Sequence, residues 1–99
     1  MVKHKRSKQK QSIHDSAVKR VAAGFKGRGW NVRADVSGYS PPSTINHKRP
    51  DVMARKGKKV RVVEVETPGT YARDKGQRNA FRSWASRSSN RRFRTRMAR

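Results

Sequence analysis

The sequence predicts one small α/β domain: a helix, three strands, a second helix and a last strand. Three observations carry that prediction. Apolar residues recur every four positions over 13–25 and every two positions over 30–36, the two periods of helix and strand. Valine-rich stretches follow, separated by Gly and Pro. The length of 99 residues suits one domain with one modest core.

Each element has its own signal. Ile13, Ala17, Val21 and Phe25 form an apolar stripe with Val18 and Ala22 beside it, so a helix starts after Ser12 as N-cap and stops at Gly27-Arg28-Gly29. Trp30, Val32, Ala34 and Val36 alternate with Asn31, Arg33 and Asp35, which makes a strand with one buried face. Gly38, Pro41, Pro42 and Asn46 mark a loop over 37–48. Residues 51–55 and 60–66 read as two strands of a hairpin, and Gly57 at the first central position suits a type II′ turn. Thr67-Pro68-Gly69 ends the third strand. Ala80, Phe81, Trp84 and Ala85 place a second helix over 73–86, with Gly76 as its weak point. Phe93, Thr95 and Met97 alternate with Arg92, Arg94 and Arg96 in a short last strand.

Charge narrows the function classes. The chain carries 27 Lys and Arg against six Asp and Glu, a net charge of +21. Such a chain repels itself unless it meets a polyanion, and nucleic acid is the natural one. No apolar run is long enough to span a membrane, and no apolar stretch follows the basic start, so neither a membrane protein nor a secretory signal is expected. The absence of Cys excludes disulfides and thiolate metal sites and fits an intracellular protein, a host cell included. Basic residues crowd both ends, without acids, over 1–11 and 87–99. The first of these reads as a disordered arm, leaving 12–99 as the domain.

The acids are few, and three fall in the hairpin. A turn centred on Gly57-Lys58 sets Asp51 opposite Glu64, and the strand period puts Glu66 on the same face as Glu64. Like charges this close destabilise unless a cation intervenes. Two explanations stay open. The carboxylates pair with the abundant Arg and Lys, or they hold a hard divalent cation such as Mg²⁺ or Mn²⁺. Lys48, Arg49, Lys56, Lys58 and Lys59 would then surround them with phosphate-binding charge, and Tyr39 in the loop is a further candidate nucleic-acid contact. On charge alone, a ribosomal or packaging-type basic protein is an equal alternative.

Arg49-Pro50-Asp51-Val52-Met53-Ala54, a hairpin, and Val62-Val63-Glu64-Val65-Glu66-Thr67 together resemble the PD-(D/E)XK nuclease core. The segment from Trp30 to Ser37-Gly38 resembles the first strand and loop of archaeal Holliday junction resolvases. Gln77-Arg78-Asn79-Ala80-Phe81 is similar to the Gln-x-x-x-Tyr motif of nuclease relatives, with Phe at the aromatic position. The resemblance implies an αβββαβ core with a mixed sheet, a Mg²⁺-dependent DNA endonuclease and a homodimer, with RNA not excluded as substrate. It makes Asp51 and Glu64 metal ligands and gives Gln77 a site role. Glu66 stands where the family usually has Lys, as a further ligand or a general base. The family's first-helix Glu has no counterpart, and His14 and Asp15 are the nearest candidates. The implied alternative is a nuclease fold that binds nucleic acid with little or no catalysis.

Overall fold

The structure, a computed structural model, describes residues 8–98. Seven elements follow in order: α1 (Lys8–Gly27), β1 (Asn31–Ala34), β2 (Val52–Lys56), β3 (Lys59–Glu66), α2 (Pro68–Arg73), α3 (Lys75–Ser86) and β4 (Arg91–Met97). The strands form one mixed sheet in the order β1-β2-β3-β4, antiparallel except for the parallel β3–β4 pair. The expected α/β architecture with a mixed sheet is therefore the observed one. Among the described residues, no helix is long and apolar enough to cross a membrane.

The sheet is sandwiched. Ala17, Val18, Val21, Ala22 and Phe25 of α1 pack on Ala34, Val52, Ala54, Val63 and Val65. The other face carries Met53, Val60 and Val62 under Phe81 of α3, with Trp84 and Phe93 at the margin. Alternate residues of β3 thus serve opposite layers, which explains why its valines occupy both parities.

Three boundaries differ from expectation. Ser12 is not an N-cap: α1 already includes Lys8, because Lys and Gln at 8–11 are good helix formers and need no capping signal there. The proposed arm over 1–11 is therefore shortened, and residues 1–7 lie outside the described residues. The second helix is split. Thr67 caps α2 in a reciprocal box with Thr70, Pro68 follows at its start, and α3 begins again after Asp74. Gly76 falls in the first turn of α3, where it costs less than in a helix interior.

The hairpin turn has the expected form. Gly57 has φ +59° and Lys58 does not share the left-handed region, as a type II′ turn requires. Lys56 pairs with Lys59 and Val52 with Val63. The loop between β1 and β2 folds back through a second tight turn. Ile45 and Lys48 exchange backbone hydrogen bonds of 2.7 and 3.0 Å while Asn46 and His47 both take positive φ.

Candidate metal and nucleic-acid site

The regular β2–β3 ladder stops at Val52–Val63, and carboxylates take over from there. Asp51 N–H donates to Glu64 Oε1 at 2.8 Å, and Val65 N–H donates to Asp51 Oδ2 at 2.8 Å. On its other side the Asp51 carbonyl accepts from Asp35 N–H at 2.9 Å. The two acids therefore replace main-chain ladder bonds with side-chain bonds to each other's strands. That fixes both carboxyl groups through the backbone.

Both flanking helices reach this pair. From α3, Gln77 Nε2 donates to Glu64 Oε2 at 2.8 Å. From α1, buried His14 sets Nε2 3.4 Å from Asp51 Oδ2. Asp15 turns away from the pair, toward His14 Nδ1 at 3.4 Å and Gln11, which donates to it at 2.8 Å. Of the two first-helix candidates, His14 meets the acids and Asp15 does not.

Glu66 is buried one step further along β3, with 1% of its surface exposed. Neither of its oxygens makes a hydrogen bond. Thr70 stands nearby, but its hydroxyl donates to the Thr67 carbonyl at 3.2 Å. Arg78 is committed to Tyr71, donating to its carbonyl and lying 3.8 Å over its ring. Thr70 and Arg78 thus stand close enough to act on Glu66 electrostatically, although their well-formed hydrogen bonds go elsewhere. Arg78 stood within the Gln77 motif, yet nothing in a linear sequence distinguishes it from the other arginines.

These environments shift both glutamates upward. Burial raises the Glu64 carboxyl from 4.5 to about 9, helped by the charge of Asp51 and against its hydrogen bond to the Asp51 backbone. Burial also raises Glu66, while the Thr70 hydroxyl and Arg78 pull it down and Asp74 and Asp51 push it up.

The first of the two open explanations finds no close ion pair to support it among the described residues. Among the described residues, no lysine or arginine lies within 4.0 Å of Asp51, Glu64 or Glu66. The residues present fit a hard divalent cation of the Mg²⁺ type, which takes one or two protein carboxylates and fills its remaining positions with water and phosphate. Asp51 and Glu64 supply such a pair. Among the described residues, no group of three His, Asp or Glu donors converges.

The expected basic surround is only partly local. Lys48 and Arg49 are exposed just before Asp51, with Arg49 donating to the Pro42 carbonyl. Lys56, Lys58 and Lys59 lie at the opposite end of the hairpin, about 17 Å from Asp51 at the usual rise of about 3.3 Å per residue. Lys56 there donates to the Arg28 carbonyl at 3.0 Å. Tyr39 packs half-buried against the α1 layer. No family model and no curated protein matches the chain.

Proposed function

We propose that the protein is a metal-dependent DNA endonuclease of the PD-(D/E)XK type, acting on phosphodiester bonds. The observation that carries this reading is the Asp51–Glu64 pair, pinned by backbone hydrogen bonds, with Glu64 buried and raised in proton affinity and no lysine or arginine within 4.0 Å among the described residues. Asp51 and Glu64 hold the Mg²⁺. When bound, that ion neutralises phosphate charge and lowers the pKa of an attacking water. Gln77 fixes the outer oxygen of Glu64, and His14 positions Asp51 from the opposite layer. Glu66 has the raised proton affinity that suits a general base, and α2 must yield for water to reach it. Basic residues around the domain hold the strand through its phosphates. The same resemblance implies a homodimer. Pairing through the free edge of β4 would set arginine against arginine, so another surface must make that contact.

One observation favours a binding protein of reduced activity: Glu66, buried at the position of the family's usual Lys, cannot supply positive charge to the phosphate. Cleavage separates the two readings. Branched, linear and single-stranded DNA are incubated with Mg²⁺, Mn²⁺ or EDTA. Cutting that needs the metal and disappears in Glu64→Ala is expected. Binding without cutting in either metal assigns the fold to nucleic-acid binding alone.

A further inference from the structure

A second feature lies on the other face of β3. Arg61, Val63 and Val65 face α1, whereas Glu64 and Glu66 face α3. Alongside, β4 runs parallel in register and sets Arg92, Arg94 and Arg96 on the same face as Arg61, Val63 and Val65. The sheet there extends past the helix, and a groove of about 360 Å³ opens between the end of α1 and β4. Phe25 and Trp30 contribute aromatic surface, and Arg28, Arg61, Arg92 and Arg94 contribute charge. No acid lines it.

Three of these arginines lie against rings. Arg28 lies 5.1 Å from the centre of the Phe25 ring, Arg94 5.8 Å from the same ring, and Arg61 5.3 Å from that of Trp30. Stacking of this kind orients a guanidinium while leaving its N–H donors for the oxygens of an oxyanion such as phosphate. Arg61 spends one amino group on the Val60 and Asn90 carbonyls, at 3.1 and 3.2 Å, which fixes it further. Trp30 meets Phe25 edge-on at 5.4 Å and stays half-exposed. Charge complementarity therefore calls for phosphates. The combination of a concave aromatic wall with arginines calls for a base that is free to leave its stack, because a paired base in a duplex cannot offer its face.

We propose that this groove binds a single-stranded nucleic-acid segment, its phosphates on Arg28, Arg61, Arg92 and Arg94 and a base against Trp30. The site is separate from the carboxylates and does not depend on them. Its test is therefore run without metal, in EDTA, where no hydrolysis intervenes. Fluorescent dT20, rU20 and a duplex of equal length are titrated into the full chain and into R92E/R94E. The exposed pair R73E/R82E on α2 and α3 serves as a charge-matched control, and thermal melting confirms that each variant folds.

R92E/R94E is expected to weaken single-strand binding at least tenfold beyond the control. It should also make the log–log salt dependence shallower by about 1.4, at about 0.7 per lost phosphate contact on a single strand. In a Trp84→Phe background, single-strand binding is expected to quench the remaining Trp30 emission, and E64Q is expected to leave affinity unchanged. Equal losses in R92E/R94E and R73E/R82E, or Trp30 emission unmoved by saturating single strand, would overturn the proposal. Loss of cleavage in E64Q with binding intact bears on the carboxylate site alone.

Discussion

Glu64 connects the chemistry of the site to the stability of the fold. Its carboxyl has an ordinary value of 4.5 and is raised to about 9 in the folded chain. Between those values the folded chain keeps a proton that the unfolded chain has released. The resulting stabilisation is fully present below about pH 4.5 and is lost as pH rises through about 9. Glu66 shifts in the same direction and adds the same sign. In metal-free buffer the melting temperature is expected to fall with pH across that window, and Glu64→Gln to fall less steeply, as followed by circular dichroism. An unchanged slope in the variant would remove Glu64 as the cause. His14 acts on the same pair from α1. His14→Gln is expected to weaken Mn²⁺ binding about tenfold while leaving the fold intact, a typical loss for a group that orients a ligand. Equal affinity by titration would reduce His14 to packing.

At the scale of elements, the β2–β3 hairpin sets the register of the site. Gly57 adopts φ +59°, and an added Cβ would meet no atom within 4 Å. Gly57→Ala therefore tests backbone strain without a clash, and a loss of about 1 kcal/mol in urea unfolding is expected. A neutral substitution would show that the ladder, not the turn, fixes the register. This hairpin is also where the sequence was most legible. Period and turn chemistry placed Asp51 opposite Glu64 because both are local rules, and Val52 opposite Val63 confirms that register. What linear reading could not supply depended on packing between layers. His14 reached Asp51 only because α1 crosses the sheet at that strand end. The break at Asp74 was hidden because the capping pair Thr67 and Thr70 reads, in sequence, as the end of a strand. The lysines of the turn looked close to Asp51 by number and proved distant because a hairpin carries its turn away from its open end.

Across the whole molecule, charge is sorted. Arg92, Arg94 and Arg96 on one face of β4 guard the free edge of the sheet against pairing with another strand. On the opposite face of the neighbouring strand, Glu64 and Glu66 are buried without a cationic side chain within 4.0 Å among the described residues. The central claim is that a divalent cation fills that gap between Asp51 and Glu64. Calorimetric titration of Mg²⁺ at pH 7, repeated in two buffers of different ionisation enthalpy, tests it most directly. Because Glu64 is protonated there in the metal-free chain, binding is expected to release about one proton per ion, and Asp51→Asn and Glu64→Gln to abolish both the heat and the release. No binding heat in the unaltered protein, or the same heat and proton count in both variants, would contradict the claim.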